Sequence, residues 1–142
     1  MFASVGLKNV LVTNGYLEEK PWREIIPYTD AANIDVKSFD EDFYKRICGG
    51  RLDVVLRNVE IMVKAAKHVE ITYLVIPTLN DNMDKISEMV DWLSAIDNTV
   101  PLHFTRYFPS YKSDIPPTDT DLLRCAKELA EKKLKHVYLG NV

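Results

Sequence analysis

The chain is short of the residues that build metal centres. Among its 142 residues there are two cysteines and three histidines. None falls in a CxxC or HExxH spacing, so a metal site made from this chain's own Cys and His is not expected. Cys48 and Cys125 stand far apart, and in the cytoplasm, the expected compartment, a disulfide between them would be reduced. Glycine is scarce too, and no Gly-rich loop offers to cradle a phosphate. The longest apolar runs are strand-length, too short to span a bilayer. The opening MFASVGLKNV lacks the apolar stretch and cleavage site of a signal peptide. A formal net charge of -3 gives no general attraction to nucleic acid or to anionic membranes, so neither is an expected partner.

What the chain does have is regular alternation. Hydrophobic residues make up 46% and charged residues 27%, the balance of one globular domain, 1–142, with a real core. Strand patterns run over Lys8–Asn14, Ala31–Lys37, Val69–Ile76, Leu102–Phe108 and His136–Leu139. Between them, Leu52 to Ala66, Ile86 to Ile96 and Leu122 to Leu134 repeat apolar residues at i, i+3, i+4, the helical period. Pro21 suits the first turn of a short helix running towards Tyr28. Ser38 with Glu41, and Thr118 with Asp121, read as capping boxes.

This order predicts βαβ units: an α/β fold, a partial (β/α) TIM-like barrel of about five parallel strands with intervening helices. A flavodoxin-like sheet fits the length as well. Either way the first and last strands are left as unpaired parallel edges, an arrangement proteins normally avoid. The expectation is that the chain is the central and C-terminal part of a larger barrel. The edges would pair with an N-terminal barrel segment or, failing that, mediate self-association.

Active sites of parallel β/α folds gather at the carboxyl ends of the strands. Those ends supply Thr13, Asn14 and Gly15, then Asn33, Asp35 and Lys37, then Thr72 with Asn80 and Asp81 beyond it, then Arg106. Asn33, Asp35 and Lys37 alternate at i, i+2, i+4 and so share one sheet face. A carboxylate and an ammonium buried there must pair or meet a ligand, and a zwitterion would suit them. Taken singly, an Asp-x-Lys is a structural ion pair and Asn-Gly is a turn. Their coincidence on one rim favours a binding site.

The motifs VTNGY (Val12 to Tyr16), NIDVKSF (Asn33 to Phe39), EITYLVIPTLND (Glu70 to Asp81), PLHFTRYFPSYK (Pro101 to Lys112) and VYLGNV (Val137 to Val142) follow one another in an order that resembles the radical S-adenosylmethionine (SAM) family. Within it the resemblance is to the pyruvate formate-lyase-activating-enzyme branch, and there to the AmmeMemoRadiSam-system radical SAM group. It implies a β/α barrel, S-adenosylmethionine, and a 4Fe–4S cluster on a CxxxCxxC loop. Reductive cleavage there yields a 5′-deoxyadenosyl radical that abstracts hydrogen, in activating enzymes from a partner protein. It also implies that Thr13, Asp35 and Lys37 lie near the methionyl end of the cofactor. Asn14, Asn80, Asp81 and Arg106 complete the candidate cofactor-binding set.

The chain departs from that pattern in several places. It has no CxxxCxxC, so the cluster belongs to the complete protein only, and this chain alone is expected to be redox-silent. Val12 stands where the branch has an acidic residue, Thr72 where it has an arginine, and Phe108 near where it has a histidine. Cys48 and Cys125 read as structural cysteines. His68 and His136 border strand starts away from the rim, His103 can face either the interior or a helix, and all three histidines read as structural. Two rivals remain: a non-catalytic binding or assembly module docking through the sheet edges, and an ordinary barrel enzyme using Lys37 as a Schiff-base nucleophile. The second needs a desolvated lysine, which a neighbouring Asp35 disfavours.

Overall fold

A computed structural model describes residues 2–142. Met1, the first residue of the lead that the sequence reading took in, lies outside them. Five strands form one parallel sheet in sequential order: β1 (Val10–Thr13), β2 (Ala31–Asp35), β3 (His68–Val75), β4 (Leu102–Arg106) and β5 (Val137–Gly140). The helices are α1 (Glu19–Ile25), α2 (Glu41–Phe43, continuing as a π-turn over Tyr44–Cys48), α3 (Leu52–Lys64), α4 (Met83–Asp97) and α5 (Thr120–Glu131).

Sequential order distinguishes the two topologies that the sequence left open. A doubly wound sheet reverses strand order and puts helices on both faces. Here each strand pairs with its chain neighbours and the order never reverses. The register sets Leu11 beside Ala32, Ile34 beside Ile71, Ile71 beside Leu102 and Leu102 beside Val137. These residues all point to one face, where they join Trp22, Val55, Met62, Met89, Leu93 and Leu123 from the helices in one apolar cluster. The other face carries no helix. It is a partial barrel, and the sheet does not close on itself.

The strand and helix patterns hold with small shifts of boundary, but both predicted capping boxes are corrected. Asp40, not Ser38, caps α2 by accepting from the Asp42 amide. Asp119, not Thr118, caps α5 through the Asp121 amide. Ser38 and Thr118 are instead buried. The Thr118 hydroxyl accepts from the Tyr107 amide at 2.9 Å and donates to the Val75 carbonyl at 2.6 Å. It thus joins the loop after β4 to the end of β3. Glu41 serves a different helix from the one expected, its Oε2 accepting from the Leu52 amide at 3.0 Å, at the first turn of α3.

The helix-covered face holds the fold together. Leu93 is fully buried in that cluster, so Leu93→Ala should lower unfolding free energy by about 2–5 kcal/mol in urea denaturation. Leu79→Ala, at a position 40% exposed, should stay within about 0.5 kcal/mol of the parent.

Candidate functional site

The carboxyl ends of β1, β2 and β3 meet in a rim whose backbone is held by buried polar side chains. Gly15 makes the turn after β1 at φ 65°, and a Cβ there would lie 2.9 Å from Ile34 Cγ2, so glycine is required. Thr13 Oγ1 accepts from the Gly15 amide at 3.1 Å and Asn14 Oδ1 from the Tyr16 amide at 3.0 Å. The turn is anchored from below by Asn58 on α3, which is fully buried. Its Nδ2 donates to the carbonyls of Gly15 and Leu17, both at 2.8 Å, and its own carbonyl accepts from Trp22 Nε1 at 2.9 Å. Nothing in the apolar period of α3 singled out Asn58. Its sequence signal is an amide side chain interrupting a stripe of buried valines.

The end of β2 is fixed in the same manner. The Lys37 amide donates to Tyr44 Oη at 3.0 Å and the Lys37 carbonyl accepts from Asn80 Nδ2 at 2.7 Å. Burial pushes the Tyr44 hydroxyl from 10.0 up to about 12, so it stays protonated as a neutral partner. Between these anchors, the side chains of Lys37 and Asp35 form an ion pair of 3.0 Å. The pair is 43% and 39% exposed, so the sequence-based picture of a buried pair is corrected. An exposed pair of this kind adds little to stability and remains open to exchange for a ligand. Lys37 is hydrated and paired, which is the opposite of what a Schiff-base nucleophile needs.

The seven predicted site residues do not all converge. Asn14 and Lys37 share a cleft of about 320 Å³ with Asn80, Cys48 and Leu74 among its walls, and Asp35 stands beside it through its bond to Lys37. Thr13 spends its hydroxyl inside its own turn. Asn80 is 5% exposed, and both hydrogens of its amide are committed, to the carbonyls of Lys37 and Leu74, while Oδ1 accepts from the Ile76 amide. It is a clamp that positions Lys37, not a free contact. Asp81 follows it in the loop leading to α4 and makes no side-chain hydrogen bond among the described residues. Arg106 lies apart from this group. Strand alternation puts it on the helix-covered side, in register with Val75. Its Nε donates to the Thr118 carbonyl at 2.9 Å and its guanidinium lies 4.7 Å from the centre of the Phe108 ring. Thr72, on the uncovered side, donates its hydroxyl to Asn33 Oδ1 at 2.8 Å.

Other expectations are revised too. Cys48 and Cys125 are exposed, not packed. Cys48 borders the rim cleft, and burial raises its thiol pKa although nearby Lys37 pulls the other way. Among the described residues, no group of three or more His, Cys, Asp or Glu is placed to hold a metal ion. A larger hollow of about 510 Å³ lies on the outer surface between α1 and α3, walled by paired charges such as Glu19 with Arg23 and Glu60 with Lys64, far from the strand ends. His103 and Glu70 face the uncovered side of the sheet, below the rim. No helix is long and apolar enough to cross a membrane among the described residues.

The family model described as the Radical SAM superfamily matches residues 3–93. The chain belongs to the radical SAM superfamily. An uncharacterised protein of Methanocaldococcus jannaschii is 41% identical over 140 residues, covering 96% of this chain and 41% of that protein. A pyruvate formate-lyase-activating enzyme of Clostridium pasteurianum is 32% identical over 106 residues, 72% of this chain and 42% of that enzyme. The (2S)-3-sulfopropanediol dehydratase activating enzyme of Klebsiella oxytoca is 27% identical over 90 residues, 63% of this chain and 28% of that enzyme. This radical SAM chain thus spans less than half the length of these curated relatives. Among solved structures, a domain of pyruvate-formate lyase-activating enzyme from Bacteroides vulgatus superposes with a TM-score of 0.83 at 15% identity, covering 98% of this chain and 84% of that one. SuiB of Streptococcus suis bound to S-adenosylmethionine gives 0.71 at 14% identity, covering 97% and 32%. These likenesses show the fold.

Two predictions follow from the anchored backbone. Asn58→Ala leaves the Gly15 carbonyl unpaired, at a cost of about 1–3 kcal/mol for a buried acceptor, while the Leu17 carbonyl keeps its bond from Arg57 Nη2. Denaturant titration should show that loss, with Gly15 and Tyr16 amides the most shifted in an NMR spectrum. Tyr44 binds its proton more tightly folded than unfolded, so its contribution to stability is full below pH 10.0 and is lost as pH rises through about 12. Tyr44→Phe should flatten that alkaline decline, and the parent should show one more late-titrating phenol by ultraviolet absorbance than the variant.

Proposed function

We propose that this chain supplies the methionyl-end half of an S-adenosylmethionine site in a radical SAM enzyme related to the glycyl-radical activating enzymes. The observation that carries the reading is the half-exposed Asp35–Lys37 pair, held beside Asn14 at the carboxyl ends of adjacent parallel strands. The amino-acid end of S-adenosylmethionine is a zwitterion. Asp35 accepts hydrogen bonds from its ammonium group, while the Lys37 ammonium and Asn14 Nδ2 donate to its carboxylate. Gly15 and Thr13 set the turn that presents Asn14, and Tyr44 and Asn80 hold the Lys37 backbone. When bound and reductively cleaved, S-adenosylmethionine supplies a 5′-deoxyadenosyl radical. This chain's own residues do not fit a 4Fe–4S cluster, because its two cysteines are exposed, lie far apart and are joined by no third thiol. No step through a cluster is assigned to them. Support also comes from SuiB, which shares the fold and was solved with S-adenosylmethionine.

A second reading rests on a separate observation. On β1, a free parallel edge, Val10 and Val12 are 61% and 82% exposed on the uncovered side. Such an edge is a pairing surface for another strand. Light scattering behind size exclusion separates the outcomes: a concentration-independent monomer speaks against edge-driven assembly, a defined dimer for it.

The cofactor reading is tested by titrating S-adenosylmethionine into the labelled chain. Amides of Asn14, Asp35 and Lys37 should shift together. Asp35→Ala should weaken the interaction by about 1.5–3 kcal/mol, the value of a hydrogen bond to a charged group. Arg106→Gln should leave it unchanged. Shifts confined to other residues, or an Asp35→Ala variant that binds as well as its parent, would refute the assignment.

A further inference from the structure

The open face of the sheet carries an arrangement that the rim does not use. Glu70, on β3, is bonded on both oxygens: His68 Nε2 lies 2.9 Å from Oε1 and His103 Nε2 lies 2.8 Å from Oε2. An ionised carboxylate only accepts, so each imidazole presents an N–H at Nε2. That fixes the tautomer of neutral His103 and leaves its Nδ1 bare. Nδ1 makes no hydrogen bond among the described residues. The Tyr138 ring stacks on the imidazole at 5.1 Å and 27°, which holds its plane. With 30% of its side chain exposed, His103 is reachable from the uncovered side.

Position adds to this. Asp35 pairs in register with Thr72, and Thr72 with His103, so all three stand in one row across the sheet. At the usual strand spacing His103 is about 10 Å from Asp35, too far to share its ligand atoms but on the same face of the sheet. Around the imidazole stand Glu70 and Thr72 from β3, Thr105 from its own strand and Tyr138 from β5, with Asn33 and Asp35 further across on β2 and Lys37 just beyond its end. The nearby Asp35 and Lys37 charges offset each other. Hydrogen bonds from the two imidazoles, that of His68 first, hold the Glu70 carboxyl below its ordinary range. The carboxylate is therefore present as a counter-charge at neutral pH.

We propose that His103 and Glu70 form an acid–base dyad on the open face, a site separate from the cofactor rim, for a small molecule that presents an ionisable N–H or O–H. His103 Nδ1 takes the proton, the ligand's nitrogen or oxygen keeps the bonding pair, and the imidazolium is stabilised by the Glu70 carboxylate. The reverse transfer returns the proton. Glu70 is a positioning residue acting through His103, and His68 holds its second oxygen. A purely structural triad would satisfy the same three side chains; the dyad differs in that Glu70 governs the reactivity of the exposed His103 Nδ1.

The test reads that nitrogen directly. In the labelled chain at about pH 8, where an ordinary imidazole is neutral, long-range proton–nitrogen spectra report the tautomer. Under the same conditions, diethyl pyrocarbonate acylates bare imidazole nitrogens, and mass spectrometry gives the rate at each histidine. His103 is expected as the Nε2–H tautomer, and its acylation should slow on the order of tenfold in Glu70→Gln. His136, exposed and outside the cluster, should be unaffected and serves as the internal reference. A wild-type His103 protonated on Nδ1, or a mixture of tautomers, overturns the dyad, and this measurement stands even if Glu70→Gln does not fold. An acylation rate indifferent to Glu70→Gln overturns it equally. Neither result bears on S-adenosylmethionine binding at the rim, which Glu70 does not touch.

Discussion

Every crossover in this chain carries its helix to the same face of the sheet, and most of what the molecule can do depends on that constraint. A right-handed strand–helix–strand connection repeated without reversal leaves one face buried and the other uncovered. The buried face takes the alternate residues Ala32, Ile34, Val36, Val69, Ile71, Tyr73, Leu102 and Phe104, and it alone supplies the core. The residues between them, Asn33, Asp35, Glu70, Thr72 and His103, are freed from packing. They can be polar and reactive because stability does not pass through them. Strand alternation thus separates two tasks within each strand.

The rim is precise for a different reason. Its loops would be floppy if only apolar contacts held them, since their backbone groups need partners that loops do not supply. Four buried polar side chains provide them. Asn58 holds the turn after β1, Tyr44 and Asn80 hold the end of β2, and Thr118 joins the loops after β3 and β4. None of the buried side-chain polar atoms among the described residues lacks a partner. The anchors come from helices and loops well separated in sequence, so the rim geometry is set by the tertiary fold.

That origin explains which parts of the molecule were legible in the sequence. Elements with a strong period, such as β3 and α3, were readable because burial imposes the period residue by residue. The grouping of Asn33, Asp35 and Lys37 followed from strand alternation alone. The same rule, counted from Leu102 and Phe104, places Arg106 on the core side, apart from the rim group. Asn80 looked like a free ligand because a buried amide with its donors committed cannot be told from an exposed one without the fold. The capping boxes failed because Ser38 and Thr118 are buried, and an aspartate one or two residues further on caps each helix. Glu70 and His103 are remote in sequence, and only the register of β3 against β4 brings them together.

The Asp35–Lys37 pair shows why moderate exposure suits a binding site better than burial. A deeply buried pair would need each charge solvated by protein, and opening it for a ligand would strand both in a medium of low dielectric. Half exposed, each partner can trade the other for a ligand group of the same charge with little net loss, because water shares the cost of the exchange. The gain then comes from position. Lys37 is fixed through its backbone by Tyr44 and Asn80, so a ligand meeting its ammonium does not first have to immobilise the chain. The radical SAM fold of this chain concentrates order in the backbone of its strand ends and leaves the charged side chains exchangeable, which is the division that the proposed zwitterion site requires.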